Sequence, residues 1–166
     1  FRLLRQTKPE ILSVIAYSDP VRRIADDGTV VMPGHCGMIY QALSADLRGR
    51  SSSRTDQIMP NGKILSPRAI SKIRAQDTGA AYAERQLVES GASKREYGED
   101  PAAWICRLQK EGHLRPRRHP GNLVYTFSLT KAARLAARDK PRHTYPAIDP
   151  TIKEGDVTML PLLQAA

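Results

Sequence analysis

The stretch PAAWICRLQKEGHLRPRRHPGNLVYTFSLTKAARLAARDK, residues 101–140, decides how the chain is read. Asp100 and Pro101 put a capping side chain before a proline whose φ already suits a helix, so a helix starts there. Trp104, Ile105 and Leu108 give that helix one apolar stripe, and Gly112 ends it. At residues 123–129 the period changes to strict alternation. Leu123, Tyr125, Phe127 and Leu129 share one face, and Val124, Thr126 and Ser128 the other, which predicts a strand. Between helix and strand lies RPRRHPGN, residues 115–122, which reads as a short strand and a basic turn. Thr130 caps a last helix at 131–140.

Charge is concentrated in the same place. Residues 107–142 hold ten Lys and Arg against Glu111 and Asp139, so this segment carries +8 of the chain's formal +9. A pI near 9.9 makes a polyanion the default partner, and nucleic acid is the commonest one. Aromatic residues are only 5% of the chain, which argues against a single-strand binder that stacks bases on flat rings. The two cysteines, Cys36 and Cys106, form no disulfide framework, which fits a reducing, intracellular compartment. No apolar run is long enough to span a membrane, and no signal peptide is visible. The expected location is cytoplasmic and nucleoid-associated.

Working outward, residues 9–17 (PEILSVIAY) read as a short helix, with Ile11, Leu12, Val14 and Ile15 apolar. Residues 26–31 read as a turn into a brief strand. Ile39, Leu43 and Leu47 at four-residue spacing predict a second helix, which stops at RGRSSSR. Residues 49–64 read as loop, with a turn at Pro60-Asn61-Gly62. Ser66-Pro67 repeats the cap-then-proline signal, and that helix turns Ile70 and Ile73 inward and Arg68, Lys72 and Arg74 outward. Asp77-Thr78-Gly79 breaks it. The next helix, AAYAERQLVES, ends at Gly91, and residues 93–100 form a polar connector. Prolines at 141, 146, 150 and 161 forbid a long helix in the tail, which either lies over the body or reaches a partner.

Leu108, Gly112 and Leu114 before the basic turn, with Ser128-Leu129-Thr130 after it, form a combined pattern. Over residues 100–140 it resembles the C-terminal half of winged helix-turn-helix domains of the MarR and PadR type. The resemblance implies a mainly α protein with a small antiparallel β-wing. Residues 1–48 would then be an N-terminal helical extension or dimerisation segment and 49–65 a loop. The winged helix-turn-helix domain would span 66–140, with an extended C-terminal tail at 141–166.

The resemblance also implies a DNA-binding surface. Arg115, Arg117, Arg118 and His119 on the wing would meet phosphates, or an arginine would enter the minor groove. In such domains the first turn of the third helix faces the major groove, which here places Ala102 and Ala103 there, after the carboxylates of Glu99 and Asp100. Two acids are an atypical opening for that helix. A rival register takes residues 66–76, the DTG turn and residues 80–91 as the helix-turn-helix, and presents Thr78, Tyr82, Arg85 and Gln86 to base edges. Residues 100–112 are favoured as the helix leading into the wing, with Lys72, Arg85, Lys94 and Arg95 as secondary candidate contacts.

His35, Cys36, Cys106, His113 and His119 show no CxxC or HxxxH spacing, so no metal site is expected. Cys106, beside Trp104 and Ile105, reads as a buried free cysteine. No GxSxG, GxxxxGK or HExxH motif occurs, no acids are spaced to hold Mg²⁺, and no cofactor is implied. The expectation is a non-enzymatic duplex-DNA-binding protein, a transcriptional regulator, with a possible homodimer. The alternatives are a plasmid or phage replication factor, or a protein- or RNA-interaction module.

Overall fold

The computed structural model describes residues 1–146. The described residues are 32% helix and 23% strand, with three small antiparallel sheets among them. The chain is therefore an α+β protein, and the expectation of a mainly α winged helix-turn-helix fold is overturned. Two compact units interleave along the sequence. Among the described residues, the first takes 1–21, 34–52 and 120–146, and the second takes 22–33 and 53–119.

In the first unit, β1 (Ser13–Ser18), β4 (Asp46–Arg50) and β8 (Leu123–Ser128) form a sheet in the order β1-β8-β4. Strand β8 pairs antiparallel with β1 from Ser13↔Ser128 to Ser18↔Leu123, and with β4 through Asp46↔Thr126 and Leu47↔Tyr125. Its alternation is the one the sequence shows: Leu123, Tyr125 and Phe127 are buried, with Leu47, Ala45 and Leu129. Leu4, Ile11, Val14, Ala16 and Tyr40 pack against this cluster. They come from β1, from the short helices α1 (Arg2–Thr7) and α2 (Met38–Ala42), and from the segment that joins α1 to β1. The buried Tyr125 hydroxyl donates to the Cys36 carbonyl and accepts from Gln41 Nε2 at 3.1 Å. Gly37 packs on the Tyr125 ring with φ 75°, and a Cβ there would lie 2.5 Å from a ring carbon, so only glycine fits.

Helix α6 (Lys131–Ala136) follows β8, and Thr130 caps it by accepting from Ala133 N–H at 3.1 Å. Arg48 on β4 donates to the carbonyls of Ala137, Lys140 and Pro141 and bonds the Asp46 carboxylate at 2.9 Å. His143 N–H donates to the Leu47 carbonyl at 3.0 Å, and the Tyr145 hydroxyl to the Ala45 carbonyl at 2.5 Å. The first residues of the tail thus lie against β4 and Ala45 beside it. The rest of the expected tail, 147–166, lies outside the described residues.

In the second unit, β5 (Arg54–Ile58), β6 (Ile64–Leu65) and β7 (Arg115–His119) form a sheet in the order β6-β5-β7. A separate hairpin joins β2 (Arg23–Ile24) and β3 (Val30–Met32). Helices α3 (Pro67–Ala75), α4 (Ala80–Glu89) and α5 (Pro101–Lys110) bury Ile73, Ala83, Leu87, Trp104, Ile105 and Leu108 around Leu65 and Leu114. Both caps read from sequence in this unit form. Ser66 Oγ accepts from Ala69 N–H at 3.1 Å, and the Asp100 carboxylate from Ala102 and Ala103 N–H at 3.0 Å.

The decisive correction is that β7 and β8 do not pair. Strand β7 pairs with β5, and β8 with β1 and β4, in different sheets and different units. The Pro120-Gly121 turn therefore closes no wing. Gly121 has φ 98° and rests on the Ser51 carbonyl so closely that an added Cβ would stand 2.0 Å from its oxygen.

Local pattern also misled at three other places. Residues 13–17, expected in a helix over 9–17, belong to β1. Ile11, Leu12, Val14 and Ile15 satisfy a helical period, but so short a segment is ambiguous, and pairing to β8 decides it. The helix expected through Leu47 stops at Ala42, after which Ser44 takes φ 59° and Leu47 enters β4. The expected loop at 49–64 supplies β5 and β6. Cys106 is exposed, on the outer side of α5.

Trp104 is 1% exposed, as its size and neighbours demand, but it lies in the second unit's core while Tyr125 and Phe127 lie in the first's. Its Nε1 donates to the Ser93 carbonyl at 3.1 Å. Trp104→Ala should cost about 3–5 kcal/mol, from lost burial plus the cavity left behind. Urea unfolding followed by circular dichroism checks this, and a loss below about 1 kcal/mol would contradict the packing described.

Candidate nucleic-acid interface

The second unit holds 15 Lys and Arg against 10 Asp and Glu. Its basic run Arg115-Pro116-Arg117-Arg118 is strand β7, at the edge of its sheet. The chemistry suits an edge. Proline has no N–H for a second ladder, and charge discourages a further strand from pairing there. Alternation places Arg115, Arg117 and His119 on one face, opposite Ile58, Asp56 and Arg54. Pro116 and Arg118 occupy the other face, opposite Gln57 and Thr55.

All three arginines are exposed, and each has a light attachment. Arg115 pairs with Asp26, both side chains about half exposed at 47% and 48%. Arg117 Nη1 donates to the Arg22 carbonyl at 3.3 Å, and Arg118 Nη2 to Ser53 Oγ at 2.6 Å. Exposed contacts of this kind contribute little to stability, so a phosphate oxygen can replace them cheaply. His119 is 3% exposed, so it is not a surface contact as expected. Burial at the end of β7 withdraws it from any ligand.

A groove of about 580 Å³ opens between the sheet and two helices. Thr55 and Gln57 of β5, Ser71 and Arg74 of α3 and Gln109 of α5 line it with polar groups, over a floor that includes Leu65 and Ile105. Arg118 shares the sheet face of Thr55 and Gln57. Neither Arg54 nor this groove follows from a sequence motif, because β5 carries no apolar alternation that would announce a strand.

Helices α3 and α4 are joined by four residues, 76–79, in which Gln76 and Gly79 both take left-handed φ. Such a connection suits a helix-turn-helix pair. The outer side of α4 carries one cluster: Arg85 stands 6.0 Å from the centre of the exposed Tyr82 ring, and Gln86 Nε2 donates to the Tyr82 hydroxyl at 3.1 Å. Lys72 reaches back to Gly79 at the start of α4.

The start of α5 is different. Ala102 and Ala103 give their N–H groups to the Asp100 carboxylate, Trp104 N–H goes to the Asp100 carbonyl, and Pro101 has none. Every donor of that first turn is used, beside an acid. The link between α4 and α5, residues 90–100, is also far longer than a helix-turn-helix turn. Arg85 and Gln86 therefore present side-chain donors on the outer side of α4, whereas the first turn of α5 has none to offer.

Arg95 and Lys94 lie in that link. Arg95 donates to the Glu99 carbonyl at 3.1 Å and to Gln76 Oε1 at 3.3 Å, and stands 3.6 Å from Glu84. It is a tie within the unit more than a free cation, whereas Lys94 is exposed. The stronger tie is Arg107, which sequence reading passed over. Its guanidinium donates to both Glu99 oxygens at 2.8 Å, to Ser93 Oγ at 2.9 Å, to the Lys94 carbonyl at 3.0 Å and to Glu111 at 3.1 Å. Only the Arg107–Glu111 pair, four residues apart on one helix face, was visible as a spacing. The Arg107 hydrogen bonds hold the Glu99 carboxyl down at about 2 and push the Arg107 guanidinium up. Glu111 is lowered first by the Ser93 hydroxyl and then by Arg107.

Among the described residues, no group of three or more His, Cys, Asp and Glu is placed to hold a metal ion. No helix among them is long and apolar enough to cross a membrane.

A carboxyl whose folded value is depressed stabilises the fold above its ordinary value, here 4.5, and loses that contribution as pH falls towards about 2. Glu99→Gln should therefore be less stable than the parent at neutral pH, with the difference shrinking through this window. Denaturant midpoints at a series of pH values test it. A difference that stays constant with pH would remove the Arg107–Glu99 tie from the account.

No protein-family model, curated protein or solved structure matches this chain, so the reading of the interface stands on its geometry and charge.

Proposed function

We propose that the chain is a duplex-DNA-binding protein that acts as a transcriptional regulator. Helix α4 supplies groove contacts through Arg85 and Gln86, and β7 supplies phosphate contacts through Arg115, Arg117 and Arg118. The observation that carries this reading is the Tyr82–Arg85–Gln86 cluster on an exposed helix that follows a four-residue turn. Arginine and glutamine are the side chains that read guanine and adenine edges in the major groove. The exposed, lightly held arginines of the same unit add the sequence-independent term. No catalytic role is assigned, and the regulatory step is the functional end that such contacts commonly serve.

The test is anisotropy with labelled duplexes across a salt series, using a footprinted site and a scrambled control. Replacing Arg115, Arg117 and Arg118 by Ala should reduce the magnitude of the log K against log[salt] slope by about 2–3, as lost phosphate contacts release fewer counterions. Replacing Arg85 and Gln86 by Ala should leave that slope largely intact. Their loss should cost about 1–3 kcal/mol of discrimination per base contact. Ala102→Glu should leave the specific-to-nonspecific ratio alone. Absence of duplex binding at low salt, with duplex RNA or an acidic protein bound instead, would replace this reading with an interaction module. Preference for iterated repeats of an origin would favour a replication factor.

A further inference from the structure

Sheet edges carry unpaired backbone groups, and proteins defend them with charge, proline, brevity or cover. In the described residues, three of the four outer edges of the two three-stranded sheets are defended in one of these ways. Strand β7 has three arginines and Pro116, and β6 is two residues long. Strand β4 carries charge and is flanked by the 141–145 segment through the His143 N–H and the Tyr145 hydroxyl. Strand β1, SVIAYS, has no charge, no proline and, among the described residues, no paired strand on its outer side. Ile15 and Tyr17 on it are 57% and 54% exposed, and Leu12 beside it is 54% exposed.

The hydrogen-bond pattern says which groups are free. Leu129 N–H donates to the Leu12 carbonyl at 2.9 Å, which continues the β1–β8 ladder by one pair. In an antiparallel ladder alternate residues turn both backbone groups to the same neighbour. Leu12, Val14, Ala16 and Ser18 therefore face β8, and Ser13, Ile15 and Tyr17 face outward. The next outward carbonyl, that of Asp19, is taken by His35 N–H at 2.8 Å. The open edge thus runs from Ser13 to Tyr17, with Ile15 at its centre.

We propose that β1 is a dimerisation edge that pairs antiparallel with β1 of a second copy of this chain, about a two-fold axis at Ile15. Ile15 then lies opposite its own symmetry mate, and Ser13 of each copy lies opposite Tyr17 of the other. The sheet continues across both copies, with Ile15 and Tyr17 on one shared face, where aliphatic and aromatic neighbours stabilise each other. The edge is self-complementary in a way that fits a second copy. It is neutral on a chain of formal charge +9, so an acidic or nucleic-acid partner gains nothing from it. Two like-charged copies approach at least cost where neither carries charge. The interface is one short strand per copy, which makes the dimer reversible. Screening of the mutual repulsion makes it tighter as salt rises, opposite to the salt response of phosphate binding.

Sedimentation equilibrium of the full chain over a wide concentration range, at low and moderate salt, tests this directly. The parent should form a dimer that strengthens with salt. Ile15→Lys places a charge on the exposed centre of the edge. Ile15→Pro removes only an outward N–H and leaves the ladder to β8 intact. Both should raise the dimer Kd by at least about tenfold with unchanged circular dichroism. Should Ile15→Pro fail to fold, Ile15→Lys decides, because that side chain points to solvent. A parent that stays monomeric throughout, or a dimer that persists in the folded variants, overturns the proposal. Neither outcome depends on whether DNA is bound.

Discussion

Strand β8 is paired along both edges and buried along one face, and the first unit depends on that double pairing. Leu123, Tyr125 and Phe127 can leave water together only if strands on each side complete the surface they lie in. Strand β1 arrives from more than 100 residues earlier in the chain, and β4 from about 75. Once both edges are filled, β8 has no donor or acceptor left for the strand that precedes it. Strand β7 must then find its hydrogen bonds elsewhere, and β5 of the second unit supplies them. The same choice turns a basic hairpin tip into the crossing between two units at Pro120 and Gly121, where Gly121 rests on the Ser51 carbonyl.

The cations divide by how they are held. Arg48, Arg95 and Arg107 each have several partners and tie together segments that lie outside the helices and strands. Arg48 anchors the chain beyond α6, and Arg95 and Arg107 brace the link between α4 and α5. These guanidiniums are already satisfied, and an approaching phosphate would have to displace carboxylates that hold the fold. Arg85, Arg115, Arg117 and Arg118 are exposed and lightly held, so exchanging their present contacts for phosphate or a base edge costs little. A charge count does not separate the two groups. Partner number does.

The edges divide in a similar way. Arginine and proline make β7 hostile to a further strand, although its side chains remain open to an anion. Strand β1 is the converse, a neutral ladder edge with apolar side chains beside it. One edge is cationic and the other is neutral and apolar.

What the sequence by itself determined is local. The Ser66, Asp100 and Thr130 caps, the helices that follow them and the alternation of β8 rest on hydrogen bonds and side-chain periods within a few residues. The arginines at 115, 117 and 118 and the Arg85–Gln86 pair were equally plain, because composition and helix spacing display them. Tertiary structure decided the rest: that residues 13–18 are strand, that the polar RTDQI of β5 is strand at all, and that β7 and β8 belong to different sheets. It also decided that His119 is buried and that the first turn of α5 has no donor to offer. Strand pairing and burial are settled between residues distant in sequence, and a short apolar or polar run has no local period that names its partner.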